Sequence, residues 1–178
     1  MSTAYATRPA DTEYAPYYAR YISLVSGDPL QALREQPQQL RRLLHGLADE
    51  QARLRYVPGK WSIKESLVHV LDTERIFAYR ALRIGRGDQT PLPGFEQDDY
   101  VPASGADDRP LEDILREYDA VRAATLSLFA SLPAAAVART GTASGHPVSV
   151  RALAYMLPGH EAHHLHLLRE RYLPLLGR

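Results

Sequence analysis

The chain has 178 residues, no cysteine, and 21 basic residues against 21 acidic ones, so its formal net charge is zero. Balanced charge argues against a nucleic-acid partner, which usually needs a basic excess. The lack of cysteine excludes disulfides, thiolate metal ligands and a cysteine nucleophile.

The length suits one compact domain with a substantial core. The expected organisation is a polar, flexible N-terminus over 1–12 and a single domain over 13–178, with no internal repeat. The opening "MSTAYATRPADTEYAPYY" has no apolar signal core. No apolar run approaches the roughly 18 residues of a membrane span. A cytoplasmic protein without a membrane partner is therefore expected.

Tyr14, Tyr17, Tyr18, Tyr21, Ile22 and Val25 recur at helical spacing and predict a short amphipathic helix, stopped by "SGDP" at 26–29. A second helix is expected over about 38–55, with Pro37 at its start and Leu40, Leu43, Leu44 and Leu47 on one face. "VPGK" at 57–60 ends it. Ser62-Ile63-Lys64-Glu65 is a capping-box pattern, in which hydroxyl and carboxylate satisfy orphaned backbone N–H groups. The helix it opens should last until about Ile84. Residues 85–109 are rich in Gly, Pro, Asp and Gln and read as a long connection of the functional or mobile kind. The "RGD" at 86–88 reads as chance, since a tripeptide is a weak signal. Pro110 opens another helix, with a core stripe from Leu111 to Leu132. "TGTASGHP" at 140–147 reads as a loop, and Ser149 caps a last helix reaching about Tyr172. Four long helices, one short N-terminal helix and no convincing strand predict an all-α four-helix bundle.

Four of the seven histidines fall within "GHEAHHLHL" at 159–167. At about 100° per residue, His160 and His164 lie in the same arc as Val150, Leu153, Met156, Leu157, Leu167 and Leu168. His163 sits at the edge of that arc and His166 points outside it. One inward histidine is usually a satisfied core residue. Two of them four residues apart place their Cβ atoms about 5–6 Å from each other, a spacing at which two imidazoles can meet one metal ion.

A third ligand must come from His45, His69 or His146. His45 lies opposite its leucine stripe and His146 falls in a loop. His69 borders the apolar arc of the capped helix, beside Ser66 and Thr73, and is the residue selected. Three neutral imidazoles with a vacancy are the pattern of catalytic zinc sites. Zinc is expected first; nickel, iron and manganese fit the same ligands. Asp72, three residues past His69, is a candidate to orient an imidazole or act as a base; the bland alternative is a solvated carboxylate. Glu74 falls inside the apolar arc and needs a buried partner, for which nearby arginines qualify. Pro158 implies a kink or a break in the last helix.

His160-Glu161-Ala162-His163-His164 also matches H-E-x-x-H, the zinc-protease pattern with glutamate as general base. Leu167 and Glu170 occupy the positions where its extended form has Gly and His, and no strand pattern precedes the helix. The protease reading is therefore set below the others.

"KWSIKESLVHVLDTERIFAYRALRI" at 60–84, "TPLPGFEQDDYV" and "SVRALAYMLPGHEAHHLHLLRERY" at 149–172 resemble the DinB/YfiT-like metalloenzyme family of the DinB superfamily. The likeness runs from about Tyr17 to Tyr172. It implies a four-helix bundle, often a homodimer, with a three-histidine site holding zinc or nickel, whose ligands correspond to His69, His160 and His164. The superfamily includes enzymes that transfer bacillithiol or isomerise maleylpyruvate with mycothiol.

The resulting expectation is a metal-dependent S-transferase that joins a low-molecular-weight thiol to a small-molecule electrophile. A metal-dependent hydrolase of esters or amides is one alternative. A non-catalytic metal-binding stress-response protein is the other.

Overall fold

The computed structural model describes residues 5–178. Four long helices form the bundle: α2 (Pro29–Leu44), α3 (Ile63–Gly85), α5 (Leu111–Ser131) and α7 (Val150–Leu167). A one-turn helix α1 (Ala19–Ile22) precedes them and packs on α7. Two short helices, α4 (Gln97–Ala103) and α6 (Ala134–Val137), lie in the connections. Among the described residues, no helix is long and apolar enough to cross a membrane.

The caps explain the boundaries. The Ser62 hydroxyl accepts from the Glu65 N–H at 3.0 Å while Glu65 Oε2 accepts from the Ser62 N–H at 2.8 Å, completing the capping box of α3. The Ser149 hydroxyl accepts from the Ala152 N–H and starts α7. For α2 the expected start at Pro37 is corrected. Asp28 is the N-cap, accepting from the Leu30 N–H at 2.9 Å, and Pro29 takes the first helical position. Pro37 instead lies inside the helix. A mid-helix proline leaves the carbonyl four residues earlier without its donor. Here that carbonyl belongs to Leu33 and accepts from Arg122 Nη1 at 2.7 Å, so tertiary structure replaces the missing bond.

Three further expectations change. "TGTASGHP" is a β-hairpin, β1 (Thr140–Ala143) with β2 (His146–Ser149), antiparallel with Ala143 opposite His146. Its turn residues Ser144 and Gly145 both have positive φ, 52° and 78°, the arrangement of a type I′ turn, which matches the twist of the strands. The strand signal was hidden because the segment is short and lacks apolar alternation. Second, the polar N-terminal stretch carries a buried anchor at Tyr5. The Tyr5 ring is 1% exposed and its hydroxyl donates to Phe129 O at 3.0 Å; residues 1–4 of the expected flexible stretch lie outside the described residues. Third, of the kink and the break expected at Pro158, the break does not occur: α7 runs through it as one helix.

The core has two apolar halves. One gathers Leu33, Phe77, Ile84, Phe129 and Leu153; the other gathers Leu40, Leu67, Ile114, Leu165 and Tyr172. Between them each long helix contributes buried polar groups: Gln36 from α2, His69 and Glu74 from α3, Arg122 from α5, His160 and Glu161 from α7. This polar layer holds the site.

Candidate metal centre

Helices α3 and α7 pack directly and bring His69 against the α7 pair. The Nε2 atoms of His69 and His164 lie 3.0 and 3.2 Å from Nε2 of His160. A tetrahedral zinc ion with Zn–N near 2.05 Å holds its nitrogens roughly 3.3 Å apart. One ring nitrogen carries either a proton or a lone pair, so His160 Nε2 can satisfy only one of its two neighbours by hydrogen bonding. A cation that takes a lone pair from each ring satisfies all three, and the residues present therefore fit a metal ion. Burial pushes the His69 pKa down to about 4. Burial, reinforced by the neighbouring imidazoles, holds His160 and His164 well below the usual histidine range. All three are neutral at pH 7, the state a ligand needs.

Aromatic rings frame the cluster. Trp61 lies 4.7 Å from the His69 ring and Tyr21 meets the His160 ring edge-on at 5.3 Å. Tyr172, reached through a widened last turn of the chain after α7, donates to Trp61 O at 2.8 Å. A pocket of about 710 Å³ opens in front of His69 and His164, walled by Tyr17, Arg20, Trp61 and Tyr172. Arg20 stacks 3.9 Å above the Tyr17 ring and donates to Tyr21 Oη at 2.8 Å, which fixes a cation at the mouth. His160 sits behind, 6% exposed.

Close approach of α1 requires Gly159. A Cβ there would stand 2.1 Å from Tyr21 O. The Pro158 carbonyl beside it accepts from Gln36 Nε2 at 2.7 Å.

The other expected residues sort cleanly. His45, His146 and His166 are exposed. Asp72 is not part of the cluster: it faces Arg75 at 3.6 Å, and among the described residues it makes no hydrogen bond to the imidazoles. Three residues along the helix its side chain has turned toward α5, where burial raises its pKa against the pull of Arg75. Glu74 has the arginine partner its burial demands, with Arg122 Nη2 at 2.8 Å. Glu161, the base of the protease motif, is 2% exposed. It accepts from Tyr118 Oη at 2.6 Å and pairs with Arg122. The glutamate is thus committed to the interior, and the H-E-x-x-H match does not assemble as a protease site. Tyr21, Trp61 and Arg20 escaped the sequence reading. Tyr21 was assigned to a core stripe; the one signal for Trp61 was its place just before the capping box.

A helical bundle in which three imidazoles converge, two of them facing an open pocket, defines the class. The sequence pattern of the DinB superfamily matches residues 32–168, and the chain belongs to that superfamily. Its fold is similar to that of YfiT from Bacillus subtilis, with a TM-score of 0.74 at 14% identity, over 95% of this chain and 93% of that one. YfiT is described as a probable metal-dependent hydrolase with an unusual four-helix bundle topology. No curated protein sequence matches the chain significantly.

Proposed function

We propose that the chain is a metal-dependent enzyme in which His69, His160 and His164 hold one divalent ion, zinc first. The observation that carries this reading is the convergence of three neutral Nε2 atoms, with His69 and the half-buried His164 facing an open pocket and His160 buried behind them. When bound, the ion supplies a Lewis acid that lowers the pKa of a thiol or water in its vacant position. Trp61 and Tyr21 pack against the His69 and His160 rings and fix their tilt. Arg20 presents a fixed positive charge to an incoming anionic molecule.

We further propose that the nucleophile is the thiol of a small cosubstrate and that the reaction is its transfer to an electrophile. Hydrolysis by water benefits from a positioned general base, and the glutamate best placed in sequence for that role is spent on Arg122 and Tyr118. A thiol that binds a metal loses its proton without a base. The chain has no cysteine of its own to compete. The hydrolase reading is favoured by the description of YfiT and differs only in the nucleophile.

Elemental analysis of untagged protein beside His160→Ala and His164→Ala tests the site. Stoichiometric metal in the parent and its loss from both variants is expected; metal retained by either variant overturns the ligand set. Turnover of an electrophile panel with and without thiols then separates the readings. Rate proportional to added thiol supports transfer, and thiol-independent turnover supports hydrolysis. Metal without turnover of either kind leaves a binding protein.

A further inference from the structure

Arg80, on α3, is the second deeply buried guanidinium of the bundle. Like Arg122 it is 3% exposed. Arg122 holds two carboxylates, whereas Arg80 forms no ion pair among the described residues. Its Nη2 donates to Pro93 O at 2.8 Å and to Ser144 Oγ at 3.0 Å. Its guanidinium carbon lies 5.8 Å from the Phe77 ring and 6.0 Å from the Phe95 ring. These neutral partners offset only part of the penalty for a buried charge.

A cavity of about 240 Å³ adjoins Arg80. Val148, Leu153 and Met156 give it apolar walls, and Ser144 and His146 from the hairpin line it as well. Ser144 occupies the left-handed region, which a non-glycine residue holds only when its surroundings impose it. Two contacts impose it here: the Ser144 N–H donates to Leu92 O at 3.0 Å, and its hydroxyl accepts from Arg80. The hairpin is thus pinned through its turn to an arginine that has no carboxylate partner among the described residues.

We propose that this cavity is a binding site for a small carboxylate with an apolar body, its carboxylate on Arg80 and its body against Val148, Leu153 and Met156. With Nη2 taken by Pro93 O and Ser144 Oγ, the carboxylate would accept a charge-assisted hydrogen bond from Nε or Nη1 of the same guanidinium. A phosphate dianion would leave most of its acceptors against hydrocarbon. The site is distinct from the histidine cluster, sharing only the Tyr17 side chain with that pocket, and it does not depend on the proposed reaction.

Ligand-observed NMR titrations of the full chain with benzoate, benzamide and inorganic phosphate test the proposal. Benzoate should bind, with benzamide and phosphate at least tenfold weaker. Arg80→Gln should weaken benzoate by about 10- to 100-fold, the effect of losing a charge-assisted pair. Because Arg80→Gln can also loosen the hairpin, Ala15→Phe serves as a second variant. It leaves Arg80 intact and places a ring at the half-buried rim of the cavity. Loss of benzoate binding in Ala15→Phe with unchanged melting is the expected result. Binding that survives both variants, binding lost in His164→Ala instead, or tighter binding of phosphate would each overturn the proposal.

Discussion

Replacing Arg122 by methionine is the sharpest test of the polar layer. Arg122 donates to both oxygens of Glu74, at 3.0 and 2.8 Å, to Leu33 O at 2.7 Å, and to Glu161. Methionine fills a similar volume but leaves two carboxylates, each 2–3% exposed, facing one another without a cation. It also strips Leu33 O of the donor that stands in for the N–H missing at Pro37. Removing one member of a buried charge network costs about 3–5 kcal/mol. For a chain of this size the unfolding entropy is about 0.37 kcal/mol/K at Tm, so Tm should fall by roughly 8–13 °C. Urea unfolding followed by circular dichroism, with a parallel thermal melt, measures this on the metal-free protein. Adding Glu74→Gln and Glu161→Gln to Arg122→Met removes the unpaired charges and should recover part of the loss. A single variant within about 1 kcal/mol of the parent, the upper range for surface pairs, would refute the account of this layer. So would a triple variant less stable than the single one.

Gly159→Ala drives a methyl group into Tyr21 O and should cost about 1–3 kcal/mol as overpacking; metal affinity should fall too, since Tyr21 braces His160. Unchanged melting and metal titration would show that α1 yields freely. Ser62→Ala removes the α3 cap and should lower stability by about 1 kcal/mol, read by urea unfolding; no change would mean that Glu65 and Arg55 hold the end unaided. In the metal-free protein, burial holds the His69 pKa at about 4, against about 6.5 in the unfolded chain. The unfolded state then binds more protons below that value, so the His69 contribution is intact above about pH 6.5 and lost as pH falls toward about 4. The loss is on the order of 3 kcal/mol. Stability of chelator-treated protein between these pH values should fall less steeply in His69→Leu; equal slopes would place His69 in contact with water.

The local signals in the sequence carried as far as local physics reaches. Ser62, Glu65 and Ser149 fix helix starts through hydrogen bonds within one turn, and those starts stand where the pattern put them. His160 and His164 share a face because an α-helix turns by a fixed angle per residue. Selection of His69 rested on its place at the border of an apolar arc. What brings it to 3.0 Å from His160 is the packing of α3 on α7 across 91 residues of sequence.

Tertiary structure alone decided the rest. Pro37 reads as a helix start by its chemistry, and only a guanidinium arriving from α5 makes it tolerable inside α2. Glu161 sits in a protease motif by its spacing, and only Tyr118 and Arg122 draw it into the interior. Asp72 is three residues from a cluster histidine, yet its face of the helix belongs to α5. Sequence thus determined which residues share a helix face and where the Ser-capped helices α3 and α7 begin, because those depend on neighbours within a turn. Which faces meet, and hence which charges find partners, was settled by packing between segments far apart in the chain, where no local periodicity carries the information.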